Sequence, residues 1–523
     1  MKPLAFIFGL IAISANQAPP AFDLIVKGGR IVDGTGNPAY FADVAVNKGR
    51  IVKVGRNLGV AKQTLDAKGM VVAPGFIDVH THAENVTRLR DAENYIRMGV
   101  TTIVVGNCGG SVPNVASFFK EVDRQVAVNV ATLVGHNTVR SAAMGGSFDR
   151  PPTNAELAQM RTAVDNAMRQ GACGLSTGLI YLPGTFAETD EIVALAKVAN
   201  NYDGIYATHM RNESDEVVKA LEETFAIGRG SGIRLQVSHL KLGKAGWGNT
   251  DKVLETLQKA REQGLDVTQD QYVYTASSTN LTQMIPSWAR EGGREKFKQR
   301  LRDPAVKQRM IDEMKKNLEL RKDADYGYAV VARMGSNPSL NGMTVPEATK
   351  RVKGDDSLES QMEFLFEVEA SGGAAGIFFG MNEEDIKTFM QLPTTMFAAD
   401  GSCRDFGKDV PHPRSYGNNA RVLGRYVREM KAITLEDAVR KMTSLPANSF
   451  RFHDRGLIKP GMAADIVVFD PEKVADKSTY DDPHHYAVGF KHVVVNGVPV
   501  ILNDKKTGKR PGMALRHKRD RGT

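Results

Sequence analysis

Val71-Val72-Ala73-Pro74-Gly75-Phe76-Ile77-Asp78-Val79-His80-Thr81-His82 is an apolar run, broken by Pro-Gly, that ends in two histidines two positions apart. Residues at i and i+2 of a strand point to the same side. Both imidazoles therefore leave the strand together, and two imidazoles on one side can bind one divalent cation. A His-x-His pair alone is weak, because such pairs are more often structural or exposed. Its position at the end of an apolar strand is what gives it weight.

Working outward, the run at 75–79 is the first of eight apolar β-runs. The others lie at 101–105, 126–134, 172–176, 204–208, 233–238, 265–269 and 394–399. Helical patterns fill most of the gaps, as at 154–169, 190–200, 215–229 and 251–263. Strands that alternate with crossover helices give an α/β fold, and eight of them point to a TIM-type (β/α)8 barrel. The alternative is an open doubly wound sheet, which the count of eight disfavours.

Short strand-like segments with glycine turns flank this region. They lie at 22–27, 30–33, 43–47, 50–54 and 70–73, and again at 464–469, 492–496 and 498–502. Gly28-Gly29 and Asn47-Lys48-Gly49 read as hairpin punctuation. The two β-rich ends suggest one small composite β-sandwich domain, with parts at 22–74 and 447–515 around a barrel at 75–446. The gap between strands seven and eight, 270–393, breaks the rhythm. It predicts an insertion at about 285–345, charged and helical in pattern, of the kind that covers a site.

The 523 residues are 42% hydrophobic and 24% charged, an ordinary globular composition. Net charge is 68 − 60 = +8. Part of the excess lies in Lys505-Lys506 and in Arg516-His517-Lys518-Arg519, which read as a solvated or frayed terminus. No aromatic stripe or fold signature supports nucleic-acid binding. Met1-Lys2, the apolar run 4–13 and the small residues after it resemble a secretory signal peptide over 1–18. The run is too short to span a membrane. The mature protein is expected to be periplasmic or secreted, or cytoplasmic if the leader is retained. Cys108, Cys173 and Cys403 are too few and too odd for a disulfide framework.

Four more chemistry-bearing residues end β-runs, at the face where such barrels carry their chemistry. Cys108 follows strand two in Gly106-Asn107-Cys108-Gly109, His209 follows strand five, His239 follows strand six, and Asp400 follows strand eight. A thiolate with two imidazoles is ordinary zinc chemistry, and a catalytic zinc keeps one position for water. Cys173, inside Ala172-Cys173-Gly174-Leu175, reads as core; Cys403 carries no assigned role. His136 ends strand three and reads as loop structure. His412, His484, His485 and His492 read as structural or exposed.

The 71–82 run resembles the opening of the amidohydrolase superfamily. Gly106-Asn107-Cys108-Gly109, Leu175-Ser176-Thr177-Gly178-Leu179-Ile180-Tyr181 and His209-Met210-Arg211-Asn212-Glu213 resemble the D-aminoacylase branch more narrowly. So do Ser238-His239-Leu240-Lys241 and His412-Pro413-Arg414-Ser415-Tyr416-Gly417. The likeness runs over about 22–499. It implies a tight zinc on Cys108, His209 and His239, a second, weaker metal position at His80 and His82, and Asp400 as catalytic carboxylate. Many amidohydrolases use a carboxylated Lys at the end of strand four; here that end is Ser176-Thr177-Gly178. This departs from the hydantoinase pattern and fits the branch with a Cys ligand.

The resemblance implies hydrolysis of the amide of a small N-acyl amino acid, and the D configuration comes from the resemblance alone. Arg414 and Lys241 are the candidates to hold the substrate carboxylate. Tyr181 and Tyr274 are candidates to flank the substrate or hydrogen-bond the oxyanion. Another zinc amide hydrolase, a dipeptidase or a cyclic-amide hydrolase, is the alternative. A metal-binding barrel without activity would need a broken constellation, and this one has all its members.

Overall fold

The computed structural model describes residues 21–518. The expected leader at 1–18 lies outside them. Eight parallel strands follow one another around a barrel. They are β1 (Phe76–Asp78), β2 (Val100–Val105), β3 (Asn129–Thr132, continued by Val134–Gly135), β4 (Gly174–Gly178), β5 (Ile205–His209), β6 (Arg234–Val237), β7 (Val267–Gln271) and β8 (Thr395–Phe397). Each pairs with the next, with Thr102 opposite Asn129, Leu175 opposite Val134, and Gln269 opposite Thr395. The ring closes between β8 and β1, where Asp400 N donates to His80 O at 2.9 Å and His82 N donates to Gly401 O at 2.6 Å. The expected barrel is thus borne out, and the open sheet is not.

The barrel interior is a packed core. Ile77, Val79, Val104, Ala131, Leu133, Cys173, Ile205, Ala207, Met396 and Ala398 form one buried cluster, closed from below by Phe450 and Phe452. Ile205 and Ala207 face in while Tyr206 between them faces the helices, as strand alternation requires. Cys173 takes the core position read for it.

Both ends of the chain build one nine-stranded sheet, joined where Val71–Pro74 pairs antiparallel with Ile466–Phe469. One hairpin expectation is corrected here. Gly28-Gly29 is a bulge within a single strand, Phe22–Ile31, not a turn between two. Leu24–Val26 pair with Gln63–Leu65, and after the bulge Arg30 and Ile31 pair with Val71 and Val72. Gly28 has φ +78°, and a Cβ on Gly29 would lie 2.4 Å from Val72 Cγ2, so only glycine lets the strand change partner.

The insertion is larger than 285–345. It is built on a three-stranded antiparallel sheet, Ala276–Asn280, Ala329–Arg333 and Ala375–Phe379, with its own core between Leu281 and Ala374. Its first strand begins only five residues after β7 ends, which charge patterning does not reveal. The basic tail is also more ordered than a frayed end. Gly512 N bonds Val126 O, Leu515 N bonds Val130 O, His517 N bonds Gly171 O, and Arg516 pairs with Asp123, strapping the tail across the barrel floor. Among the described residues, no helix is long and apolar enough to cross a membrane.

Candidate metal centre and active site

The C-terminal ends of six strands converge on one cluster. Cys108 Sγ lies 3.8 Å from His209 Nδ1 and 3.7 Å from His239 Nε2. A thiolate sulfur and an imidazole nitrogen on one tetrahedral zinc sit about 3.5 Å apart, given bonds of about 2.3 and 2.0–2.1 Å. The spacing and the donor set therefore fit zinc. His80 Nε2 is 3.3 Å from the same sulfur and 3.5 Å from Asp400 Oδ1, and His82 Nε2 is 3.1 Å from Asp400 Oδ1. All five expected metal ligands and Asp400 come together, and the thiol lies between the two groups of donors.

The backbone pays locally for this convergence. Cys108, His239 and Asp400 hold φ of +52°, +35° and +48°. Left-handed backbone at a residue with a side chain costs on the order of 1–3 kcal/mol and persists only where surroundings enforce it. Strand four carries no ligand for a steric reason. A Cβ on Gly178 would fall 2.2 Å from Cys108 O and 2.6 Å from the Tyr181 ring, so the Cys108 loop occupies the space a side chain would need.

Burial, reinforced by the negative charges of Asp400 and Glu213, pushes the Cys108 thiol well above its ordinary value. A thiolate there needs a cation beside it. Burial also drives His209 and His239 well below the usual imidazole value, so both rings stay neutral, the form that binds metal. For Asp400 burial works in the opposite sense, raising the carboxyl, but the Arg414 guanidinium and the His80 ring outweigh it and hold the group well below the carboxylate range.

A cavity of about 340 Å³ opens over the cluster. Tyr181 and Lys241 line it, as expected. The Tyr181 hydroxyl meets Thr279 Oγ1 at 3.0 Å, so the insertion forms one wall. Two expectations are corrected. Tyr274 is turned away from the cavity, with its hydroxyl 3.4 Å from Asp476 Oδ2, and Tyr272 lines the wall instead. Arg414 is not open to the cavity in this structure. Its Nη1 pairs with Asp400 Oδ2 at 2.8 Å, and its guanidinium lies over the Tyr272 ring, 4.5 Å from the centroid. The Lys241 ammonium lies 5.9 Å from the same centroid. His136 is structural, its Nε2 2.7 Å from Glu191 Oε1.

Two carboxylates were not read from the sequence. Asp270 Oδ1 is 3.2 Å from His80 Nδ1 and accepts the His239 N–H at 2.9 Å. It directly follows the apolar run read at 265–269, as His209, His239 and Asp400 follow theirs, so the strand-end rule that found the ligands applies to it as well. Glu213, four residues after His209, lies between His209, His239 and Lys241.

Residues 63–501 match the model of the amidohydrolase family. The chain belongs to the amidohydrolase family. It is 35% identical to the D-aminoacylase of Alcaligenes xylosoxydans xylosoxydans, over 96% of this chain and 99% of that one. The N-acyl-D-glutamate deacylase of Bordetella bronchiseptica, solved with zinc and a phosphonate inhibitor, is 36% identical and superimposes with a TM-score of 0.81, covering 95% of this chain and 99% of its own. A D-aminoacylase structure bearing on a binuclear metal centre, with one-metal activation and second-metal attenuation, is 33% identical with a TM-score of 0.79, over 94% and 99% of the two chains. The resemblance carried by the motifs thus extends along nearly the whole amidohydrolase chain.

Proposed function

We propose that this amidohydrolase hydrolyses the amide of N-acyl-D-amino acids with zinc as cofactor, releasing a carboxylic acid and a D-amino acid. The observation that carries the reading is the Cys108, His209 and His239 donor set under a cavity bordered by Asp400. Full-length likeness to a D-aminoacylase and to an N-acyl-D-glutamate deacylase supports the substrate class. Cys108, His209 and His239 would hold the tight ion, and His80 and His82 the second, weaker position. Zinc so held supplies the Lewis acidity that makes an amide carbonyl and a water reactive at neutral pH.

The residues supply the rest. Asp400, kept ionised by Arg414, takes a proton from the attacking water and returns it to the leaving nitrogen, acting as base and then as acid. Asp400 is 7% exposed, so few bulk waters compete for that proton. Lys241, which lines the cavity near the Tyr272 ring, is the cation that meets the substrate carboxylate there. Tyr181, beside His209 and fixed by Thr279, is placed to donate to the oxygen on which charge develops. The leader at 1–18 makes the mature enzyme periplasmic or secreted, which N-terminal sequencing of the expressed full-length chain tests.

Paired N-acetyl-D- and N-acetyl-L-amino acids, assayed before and after chelation and zinc add-back, test the function. The expected result is D-selective cleavage that chelator abolishes and zinc restores. Cleavage of L-substrates, dipeptides or cyclic amides instead would overturn the substrate assignment.

A further inference from the structure

Both non-histidine cations at the cavity already face a carboxylate. Lys241 Nζ lies 2.6 Å from Glu213 Oε2, and Arg414 Nη1 lies 2.8 Å from Asp400 Oδ2. Arg414 is further held in place, because its Nη2 donates to Ser278 O at 3.3 Å and its guanidinium covers the Tyr272 ring. Apart from histidines, Lys241 is the one cationic side chain among the described residues that line the cavity. Those histidines are committed, His209 and His239 to the Cys108 set and His82 to Asp400.

Every N-acyl amino acid brings one carboxylate, and Lys241 is there to meet it. An acidic side chain brings a second. The remaining wall has no charge to set against that one. Ser277, Ser278 and Thr279 of the insertion's first strand offer neutral hydroxyls, and Ile180, Tyr181 and Tyr272 offer apolar surface and phenols. A hydroxyl donates one hydrogen bond to a carboxylate but does not balance its charge. Taking an unpaired carboxylate out of water is unfavourable, and Glu213 and Asp400 in the same lining repel it. An uncharged side chain meets neither penalty. We infer that the site takes N-acyl-D-amino acids with uncharged side chains and discriminates against the acidic ones, D-glutamate and D-aspartate. The inference rests on reading the site as an N-acyl-D-amino-acid deacylase.

N-acetyl-D-glutamine against N-acetyl-D-glutamate, and the D-asparagine and D-aspartate pair, test it on the zinc-loaded enzyme. Each pair shares its shape and differs in side-chain charge. kcat/KM for each acid should fall at least about tenfold below that of its amide, because the acid alone buries an unpaired charge. Lys241→Met, checked for retained zinc, should lower kcat/KM for N-acetyl-D-glutamine too, since the one ammonium serves the carboxylate that all substrates share. Acids cleaved within tenfold of their amides would overturn the inference. So would a Lys241→Met loss confined to the acids, which would put the side-chain carboxylate on Lys241. Amides as poor as the acids, beside readily cleaved N-acetyl-D-methionine, would show that polarity and not charge is refused, and would overturn it as well. If no N-acyl-D-amino acid in the panel is cleaved, the deacylase reading itself fails, and this inference with it.

Discussion

Asp400→Asn perturbs catalysis and stability through separate contacts. Asp400 Oδ2 and Arg414 Nη1 are 2.8 Å apart, and Arg414 is only 5% exposed. At an effective dielectric of about 20, two unit charges at that distance attract by about 6 kcal/mol, part of which the desolvation of both groups consumes. Removing one member of such a pair typically costs about 3–5 kcal/mol, because a buried charge is left unpaired. Arg414 keeps Ser278 O at 3.3 Å and the Tyr272 ring, so the low end, about 3 kcal/mol, is expected. Thermal unfolding of the zinc-free protein should show a clear fall in midpoint, and Asp400→Asn/Arg414→Met should recover part of it. Loss of the proton-transfer carboxylate should also lower kcat by about 10²–10⁴-fold in the zinc-loaded enzyme. An unchanged midpoint would refute the ion-pair argument, and kcat within threefold of wild type would refute the catalytic one.

Gly178→Ala should displace the Cys108 loop, costing about 1–3 kcal/mol of stability and weakening zinc retention; metal analysis after dialysis checks this. Tyr181→Phe should lower kcat by about tenfold or more with a smaller change in KM, if its hydroxyl acts on the developing oxyanion. His492, buried in the terminal sheet, is held down to about 4 by burial, against an ordinary 6.5. Below pH 6.5 the unfolded chain takes up a proton that the folded chain refuses until about 4, so stability should fall across that window as the solution is acidified. Urea unfolding midpoints of His492→Gln should be flatter than wild type over the same window.

The ligand set was legible because strand ends of an eight-strand α/β pattern carry chemistry, and His80, Cys108, His209, His239 and Asp400 all sit there. Asp270 obeys the same rule, following its run at 265–269 directly, but it begins the long segment read as the insertion, where a lone carboxylate carries no metal-ligand motif. Tyr272 and Tyr274 share strand parity but lie beyond the end of β7, where the chain turns into the insertion and alternation no longer fixes facing. The pairing of Arg414 with Asp400 joins residues fourteen apart on either side of a loop, and no local pattern encodes it. Glu213 stood inside a motif whose residue types were visible while its three partners were not. Gly28-Gly29 misled because a bulge and a hairpin turn both demand glycine, and only the partner strands distinguish them.

A zinc ion held by one thiolate and two imidazoles is what makes this site a deacylase. The most direct test is zinc-edge X-ray absorption on the active enzyme, with Cys108→Ala beside it. One sulfur at about 2.3 Å with nitrogen or oxygen ligands at about 2.0–2.1 Å is expected, and loss of the sulfur signal together with activity in the variant. Bound zinc without a sulfur neighbour, or full activity in Cys108→Ala, would contradict it.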